Sequence, residues 1–362
     1  MLNFTVGPVM SGEDVLAVAS QSSPYFRTPE FSQVVLENEQ LMLRFLHAPA
    51  YSRCVFLTTS GTGAMESCVM NVLGPEDRPV VINGGSFGQR FVDLCKLHGL
   101  DYGEVKLPFG HQVRAEDLAP YEGAGYTALL VNMDETSSGT LYDMTLLADF
   151  CRRNGAFLIV DAISAFLSDE LDMEELGAAV VITGSQKALA VHPGIAVVAL
   201  SKEAVARVEQ HDEKCMYLSL KLALKNAERG QTPFTPAVTT LLEINRRLHG
   251  IEESGGVAAE RARITAIAHE FRSFIGGLED QPFELVSESP SNAVTALRFR
   301  DGRGGAKALI ATMKDDYQIW LCPNGGALAD EVFRVGHIGH ITDGDLRTLE
   351  EAFTDIQGRG LL

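Results

Sequence analysis

Asp161 and Lys187 are the two residues whose types and positions most directly suggest chemistry. Asp161 ends an apolar segment, 157–161, and Lys187 lies in a polar turn, 183–187, directly after a second apolar segment, 178–182. A lysine amine can form a Schiff base, and a carboxylate can keep a pyridine nitrogen protonated so that the ring accepts electrons. The pair therefore indicates a pyridoxal phosphate (PLP) site, although most residues in such positions only solvate a loop.

A second segment, 59–65, is suited to binding an anion. It contains Ser60, Gly61 and Thr62, follows an apolar strand and opens a helical pattern, so backbone N–H groups and hydroxyls would converge on a phosphate. No lysine follows the glycines as in a P-loop, and the spacing is not the GxGxxG dinucleotide fingerprint. The alternative is a tight turn whose hydroxyl only caps the helix.

The segment 83–90 supports two different interpretations. Its glycines would let Phe87 approach and stack on a flat ligand, although a phenylalanine packed in the core is the simpler alternative. The same residues contain a GxSxG pattern centred on Ser86, which is the nucleophile elbow of α/β-hydrolases. No HGGG-type segment precedes it and no partner acid and histidine can be picked out, so we treat the hydrolase as a remote alternative.

Other polar groups follow the remaining strand patterns. The segment 134–139 comes directly after a strand, at the edge of an α/β sheet where ligands bind. The segment 232–236 offers hydroxyls in a stiff, proline-rich backbone. Arg334 could clamp a carboxylate bidentately, or simply face solvent. His337 and His340 lack a third ligand, so we expect no metal site.

These residues require a fold that brings strand ends together. From about residue 30 to 245, helical periodicity alternates with short apolar runs, which predicts an α/β domain with a mostly parallel sheet covered on both faces. The predicted strands are 54–58, 79–82, 128–132, 156–160, 178–182 and 195–200.

A change in pattern near residue 250 predicts a second, smaller domain. The segment 250–256 is rich in glycine and charge, and α+β patterns follow it. We therefore predict an N-terminal segment near the active site at 1–20, a large domain at 21–250 and a small domain at 251–362. Within the small domain the predicted elements are strands 293–299, 318–321 and 332–335 and a closing helix, 343–356, capped by Thr342.

The composition excludes several partners. With 362 residues, 46% hydrophobic and 22% charged, the chain is of ordinary globular composition and long enough for about two domains. The formal net charge of -18 opposes binding to nucleic acid or an anionic membrane. Six scattered cysteines form no CxxC pair, and no signal peptide or membrane span is evident, so we expect reduced thiols and a cytoplasmic location.

Taken in order, these segments resemble the class V aminotransferases of PLP fold type I. The similarity is to the branch of alanine:glyoxylate, serine:pyruvate and 2-aminoethylphosphonate:pyruvate transaminases, and it runs nearly end to end. The segments that carry it are 5–8, 26–31, 60–63, 135–139, 161–162, 185–187 and Arg334.

The resemblance implies a role for each matching residue. Lys187 would be the Schiff-base lysine, Asp161 the partner of the pyridine nitrogen, and Arg334 the contact for the substrate carboxylate, with Gly7 as a second substrate-binding residue. A homodimer is implied, because in similar proteins the segment matching 232–235 reaches the phosphate of the neighbouring subunit. The implied cofactor contacts are Ser60, Gly61, Thr62 and Gln186 at the phosphate, Phe87 on the ring, Thr136 at the ring hydroxyl, and Thr232 and Thr235 from the neighbour.

The implied activity is ping-pong transamination from a small amino donor to a 2-oxo acid such as pyruvate or glyoxylate. Alanine, serine and 2-aminoethylphosphonate all remain open as donors. A PLP-dependent lyase or cysteine desulfurase is the alternative. Desulfurases usually carry histidine before the lysine, where this chain has Gln186, and we interpret Cys322 as a buried thiol that follows a strand.

Overall fold

The computed structural model describes residues 1–300 and 304–361. Strands and helices alternate through its first two hundred residues, as the apolar pattern predicts. The strands are β1 (Leu2–Phe4), β2 (Arg53–Leu57), β3 (Pro79–Asn83), β4 (Gly103–Lys106), β5 (Ala128–Asn132), β6 (Asp134–Glu135), β7 (Thr140–Leu141), β8 (Phe157–Asp161), β9 (Ala178–Gly184), β10 (Ala196–Leu200), β11 (Phe283–Leu285), β12 (Val294–Phe299), β13 (Ile319–Pro323) and β14 (Val332–Gly336).

The helices lie between these strands in the sequence and pack around them in the fold. They are α1 (Glu13–Ala19), α2 (Pro29–Phe45), α3 (Gly61–Val72), α4 (Ser86–Leu97), α5 (Ala115–Leu118), α6 (Met144–Asn154), α7 (Met173–Leu176), α8 (Lys202–Gln210), α9 (Leu220–Ala227), α10 (Val238–Glu253), α11 (Gly256–Gly276), α12 (Ala306–Tyr317) and α13 (Asp343–Gly358). Within the described ranges, no helix is both long enough and apolar enough to cross a membrane.

The larger sheet has seven strands in the order β2-β10-β9-β8-β5-β3-β4. The pairs from β9 to β4 are parallel, whereas β10 runs antiparallel to both of its neighbours. The carboxyl ends of β2, β3, β5, β8 and β9 therefore meet at one edge of the sheet. The loops that leave these strands are held side by side there, which is where ligands bind in open α/β sheets.

Both faces of this sheet are buried, which explains why its strands are apolar without alternation. In β8, Leu158 and Val160 belong to one hydrophobic core, whereas the intervening Ile159 belongs to the other. Helices α2, α6 and α10 contribute to the first core, and α3, α4, α8 and α9 contribute to the second. A mostly parallel sheet between two helical layers confirms the predicted fold class.

The smaller sheet has the order β1-β13-β14-β12-β11 and a core of its own. Phe271, Phe333 and Phe353, from α11, β14 and α13, pack in that core and are fully buried. Its outer strand β1 comes from the very start of the chain and pairs in parallel with β13. Sequence patterns did not indicate β1, because three residues carry no periodicity.

The predicted strands are confirmed to within about two residues at either end. The closing helix α13 begins at Asp343 after Thr342, as predicted, and a capping box is present. The short strands β4, β6, β7 and β11 were missed. The predicted interruption near 250–256 is present as a break between α10 and α11, where Gly255 has a φ of 103°.

The division into segments 1–20, 21–250 and 251–362 stays a prediction. Residues 301–303 and 362 of the last segment lie outside the described residues.

The capping box of α13 gives a test of local stability. The Thr342 hydroxyl accepts a hydrogen bond from the Asp345 N–H at 3.2 Å, and Asp345 Oδ2 accepts one from the Thr342 N–H at 2.9 Å. We expect Thr342→Ala to lower the free energy of unfolding by about 1 kcal/mol, because the Asp345 N–H loses its partner. Urea unfolding followed by circular dichroism measures the change.

Thr348→Ala is the matched control, since Thr348 is exposed within the same helix and its hydroxyl bonds only the Gly344 carbonyl. Alanine is the better helix former there, so this variant should be no less stable than the wild type. Equal losses in the two variants would contradict a role for the cap.

Candidate active site

A cavity of about 260 Å³ opens at the carboxyl edge of the large sheet. It is enclosed by loops that leave several strands and by the start of the chain. Most residues singled out in the sequence meet here. The lining residues are Gly7, Pro8, Ser60, Gly61, Thr62, Phe87, Arg90, Asp134, Thr136, Asp161, Ile163, Ser164, Gln186, Lys187 and Pro193.

Lys187 follows β9 and is buried in this cavity. Its Nζ donates a hydrogen bond to the Val6 carbonyl at 2.6 Å. Burial lowers the pKa of Lys187, and the carboxyl groups of Asp134 and then Asp161 oppose that shift. A buried amine with a lowered pKa is more often in the neutral, nucleophilic form than a surface lysine is.

Gly7 has to be a glycine for this arrangement. Its φ is 129°, and a Cβ there would lie 2.9 Å from Lys187 Cδ. The missing side chain therefore leaves room for the lysine stem against the N-terminal segment.

Asp161 is the last residue of β8 and lies directly opposite Asn132, the last residue of β5. Its Oδ2 accepts a hydrogen bond from Asn132 Nδ2, and its Oδ1 accepts one from the Ile163 N–H at 2.9 Å. Burial raises the pKa of Asp161 to about 6, although these two hydrogen bonds favour the ionised form. The carboxylate is thus held in a fixed orientation and prepared for a cationic partner.

The start of α3 provides the anion cradle that the sequence predicted. Ser60 is the N-cap of the helix, but its side chain makes no capping hydrogen bond and is free to face a ligand. The first N–H groups of a helix have no partner within the helix, and its dipole favours an anion at this end. Thr62, which follows Gly61, accepts a hydrogen bond from Arg90 Nη1 at 3.0 Å, so a guanidinium lies beside the cradle.

Phe87 lies at the start of α4, where a buried carboxylate fixes it. Glu135 accepts hydrogen bonds from the N–H groups of Phe87, at 3.2 Å, and Gly88, at 2.9 Å. The guanidinium carbon of Arg90 lies 4.8 Å from the centre of the Phe87 ring. Arg90 therefore covers one face of the ring, and both side chains line the cavity.

Three predicted site residues do not line this cavity. Arg334 lies next to it and donates hydrogen bonds to the Thr136 carbonyl, at 2.9 Å, and the Pro323 carbonyl, at 2.7 Å. Thr232 and Thr235 lie in a separate narrow cleft. The Thr232 hydroxyl donates to the Phe234 carbonyl of its own loop, whereas Thr235 is exposed.

The interpretation of Cys322 needs a correction. The sequence placed it after a strand and predicted a buried thiol, but it lies within β13, opposite Arg334, and is only half-buried. The strand runs two residues beyond the predicted end, because Pro323 still pairs with Phe333 of β14.

Sequence reasoning missed Asn132, Arg90 and Ser164, and it named Asp134 only as part of a loop. Asn132 could have been found from the sequence, because it ends the predicted strand that comes before the strand of Asp161 along the chain. Ser164 contacts Thr136, and their hydroxyl oxygens are 2.7 Å apart. Nothing in the local sequence pattern predicts that contact.

Cavity size alone does not identify the site. A larger cavity, of about 560 Å³, lies between α10, α11 and the segment before α13. Its two arginines are already paired: Arg247 and Arg263 share the carboxylate of Glu260, and Arg263 also bonds the Gly339 carbonyl. Among the described residues that line it, this leaves no free cation for a ligand.

The residues of the smaller cavity fit PLP. An amine and a carboxylate for the two ends of a pyridine ring, an aromatic face and a helix N-terminus for a phosphate surround one space. A polar group without a partner lies there, since Asp134 lines the cavity and both of its carboxylate oxygens are buried without a hydrogen bond. Such atoms are costly unless a ligand satisfies them.

Comparison with known proteins gives consistent results. The family model described as "Aminotransferase class-V" matches residues 16–314. The L-aspartate--glyoxylate aminotransferase of Paracoccus denitrificans (strain Pd 1222) is 27% identical over 349 residues, covering 94% of this chain and 87% of that protein. The protein named "Soluble hydrogenase, small subunit" of Synechococcus sp. (strain PCC 6716) is 29% identical over 345 residues, covering 94% and 88%.

A solved structure described as an aspartate aminotransferase of subgroup IV from Thermus thermophilus superposes with a TM-score of 0.90. It is 26% identical and covers 99% of each chain.

The raised pKa of Asp161 predicts a gain in stability on its removal. An acid whose pKa is higher in the folded state stabilises the fold below its ordinary pKa, 3.8 here, and that contribution is lost as pH rises through about 6. Near neutral pH, Asp161→Asn should therefore raise the free energy of unfolding of the protein without cofactor by about 1–3 kcal/mol.

Urea unfolding measured at a series of pH values checks this, and the gain should shrink as pH falls towards 4. Asp172→Asn is the control, because Asp172 accepts a hydrogen bond from the Glu175 N–H and contacts His47, so its removal should cost stability. A loss of stability in Asp161→Asn at every pH would contradict the prediction.

Proposed function

This chain belongs to the class V aminotransferase family and is a PLP-dependent transaminase, and we propose that it moves the amino group of a small amino donor to a 2-oxo acid by a ping-pong mechanism. The observation that supports this best is the convergence of Lys187 and Asp161 on one cavity, with the start of α3 and Phe87 around it. The proposed acceptor is pyruvate or glyoxylate, and the proposed donors are alanine, serine and 2-aminoethylphosphonate.

The proposed donors need one addition. The Paracoccus relative and the Thermus structure are both named for aspartate. We therefore include L-aspartate among the donors to be tested.

Each residue of the cavity has a proposed role. Bound PLP supplies an electron sink that makes the Cα–H bond of the substrate acidic. Lys187 holds the cofactor and then carries the proton at its Nζ between the substrate carbon and the cofactor. Asp161, ionised and oriented by Asn132 and the Ile163 N–H, keeps the pyridine nitrogen protonated.

The other residues hold and orient the cofactor. Ser60, Gly61, Thr62 and Gln186 are proposed to bind its phosphate through hydroxyl, amide and backbone N–H groups. Phe87 stacks on the ring, and Thr136 contacts the side of the ring hydroxyl. Gly7 lets the N-terminal segment close over the substrate end of the cavity, beside the lysine stem.

Arg334 is proposed to bind the substrate carboxylate. Its two hydrogen bonds to backbone carbonyls fix the plane of the guanidinium and use one N–H on each Nη, which leaves further donors for a carboxylate. Its Nε is buried without a partner. Since Arg334 bonds the carbonyl of Thr136, it is placed at the rim of the same cavity.

A homodimer is proposed, with Thr232 and Thr235 reaching the phosphate of the neighbouring subunit. Their loop carries Phe234, which stacks on Tyr217 at 5.6 Å between ring centres, and both rings are partly exposed. An exposed aromatic pair beside a polar loop is typical of a protein interface.

We also propose a cytoplasmic location, which the six unpaired cysteines of the described residues support.

The alternative functions have weaker support. Cys322 is close enough to influence the pKa of Lys187, but it lies in a strand rather than a loop that could deliver sulfur. Within residues 1–300 and 304–361, no hydrogen bond joins the Ser86 hydroxyl to a histidine, as a hydrolase would need. In those ranges, one group of three His, Asp and Glu side chains is close enough together to hold a metal ion, and it contains no cysteine. No specific observation therefore favours hydrogenase chemistry.

The first test concerns the lysine. We expect the wild type to show a visible absorbance band with PLP that changes on addition of an amino donor, and borohydride to fix the cofactor to the protein. Lys187→Ala should lose the linkage because Lys187 supplies the buried amine of the cavity. Absorbance spectroscopy and mass spectrometry of the reduced protein measure both effects.

Lys202→Ala is the control, since Lys202 is exposed at the start of α8 and should behave as the wild type. A wild type that stays colourless with PLP, or a Lys187→Ala variant that still becomes linked, would refute the assignment. Measuring 2-oxo acid formation with and without an acceptor separates transamination, which needs the acceptor, from lyase activity, which does not.

The second test concerns Arg334. Arg334→Ala should raise the KM of the 2-oxo acid acceptor about 10- to 100-fold, because the substrate carboxylate loses charge-assisted hydrogen bonds worth about 1.5–3 kcal/mol. Steady-state kinetics with varied acceptor measures the change. Arg298→Ala is the control, since Arg298 lies on the neighbouring strand β12 and makes only long ion pairs, at 3.9–4.0 Å. An unchanged KM in Arg334→Ala would rule out the clamp.

A further inference from the structure

We propose that Asp134 is an additional cofactor-binding residue, whose carboxyl group in its neutral form donates a hydrogen bond to the phenolic oxygen of PLP. This inference rests on the proposed role of Lys187. Asp134 is 3% exposed and belongs to β6, in the loop region that the sequence placed at the sheet edge.

The first observation is that both carboxylate oxygens of Asp134 are buried without a hydrogen bond. The hydroxyls of Ser164 and Ser291 lie close enough to lower the pKa of Asp134, but neither has the geometry of a hydrogen bond to it. Ser164 Oγ lies 2.7 Å from Thr136 Oγ1, and Ser291 Oγ donates to Asp169 Oδ2 at 3.1 Å. A buried carboxyl group with no partner is costly, so a residue retained at this position is expected to have a ligand.

The second observation is its position in the cavity. Asp134 lines the same space as Lys187 and Asp161. Of the charged neighbours of Lys187, Asp134 has the largest effect on its pKa, larger than that of Asp161. Asp134 therefore shares the cavity with Lys187 and interacts electrostatically with its amine.

The chemistry of the cofactor connects these observations. In PLP, the ring carbon that bears the aldehyde group, which bonds the lysine, is next to the ring carbon that carries the phenolic oxygen, and the ring nitrogen is on the opposite side. A group near the Lys187 amine is therefore within reach of the phenolic oxygen. That oxygen is electron-rich, so it needs donors rather than acceptors, and only a protonated carboxyl group can donate.

The surroundings of Asp134 favour the protonated form. Burial, the nearby Asp169 and the adjacent Glu135 raise the pKa of Asp134 to about 8. Lys187 after β9 and Tyr142 after β7 are the other titratable groups that couple to it. The acid is consequently neutral in a large share of molecules near neutral pH.

Two substitutions separate a donor from a structural residue. Asp134→Asn keeps the shape and a donor, so the dissociation constant for PLP should stay within about threefold of the wild-type value. Asp134→Leu removes the donor, and PLP should bind about tenfold more weakly, as expected for one lost hydrogen bond. Titration of the three proteins without cofactor, followed by the visible band, measures these constants.

Thermal unfolding of the proteins without PLP provides the second readout. Asp134→Leu should unfold at a temperature no lower than the wild type, because it removes an unsatisfied polar group. Glu39→Gln is the matched control: this buried acid accepts hydrogen bonds from Arg53 and from the Cys54 N–H, and it does not line the cavity. It should unfold at a lower temperature and bind PLP as the wild type does.

The outcomes distinguish this inference from the proposed function. A wild type that gains no band with PLP means that the proposed function fails. Two results overturn only the role of Asp134 as a neutral donor, provided that the wild type binds PLP normally. In the first, Asp134→Leu binds PLP as tightly as the wild type does. In the second, Asp134→Asn binds PLP as weakly as Asp134→Leu does. A lower unfolding temperature together with weaker binding in Asp134→Leu indicates a structural residue and also overturns it.

A pH titration supplies a test if Asp134→Leu does not fold. Wild-type affinity for PLP should fall, relative to Asp134→Asn, as pH rises through about 8 and the carboxyl group ionises. Identical pH profiles for these two proteins overturn the proposal.

Discussion

The site depends on the burial of ionisable groups at the edge of a parallel sheet. Lys187, Asp161 and Asp134 are all withdrawn from water, and burial shifts the pKa of each towards the neutral form. An amine and a carboxyl group exposed to solvent would both stay charged and hydrated near neutral pH. The two helical layers and the N-terminal segment exclude water, and this exclusion makes the same side chains reactive.

This burial has a cost, which the surrounding backbone limits. Asp161 retains two hydrogen bonds, from Asn132 and from the Ile163 N–H, whereas Asp134 has none. The strands β5 and β9 are buried along their whole length, and β8 is buried at all but its first residue, so they can hold groups that would otherwise relax into solvent. The fold thus keeps buried polar groups without hydrogen-bond partners at a place where a bound ligand can supply those partners, as is common at functional sites.

The sequence was sufficient for the parts of the site that lie at strand ends. Apolar runs located β5, β8 and β9, and parallel pairing then placed Asp161 and Lys187 at the same edge. The exact partners could not be predicted, because they depend on register and on contacts between distant segments. The pairing of Asn132 with Asp161 follows from strand register. The contact of Lys187 with Val6 joins residues 181 positions apart.

The same limit explains the small sheet and its neighbours. The strands β12, β13 and β14 carry readable apolar patterns, whereas β1 and β11, with three residues each, do not. The half-burial of Cys322 depends on how far β13 continues beside β14, which only the pairing of the two strands decides. Local periodicity therefore predicts which elements exist, and tertiary contacts decide where they end.

The pairing of β1 with β13 bears on how the protein is made. β1 joins the sheet through residues 319–321, so this strand has to wait for its partner until those residues have left the ribosome. At typical elongation rates of about 5–20 residues per second, that delay is roughly 15–60 s. The Val6 carbonyl, which bonds the lysine amine, is two residues beyond β1, so the pairing of β1 with β13 also anchors the segment that reaches the active site. A chain that stops before residue 319 has every strand of the large sheet but not the strand that anchors this segment.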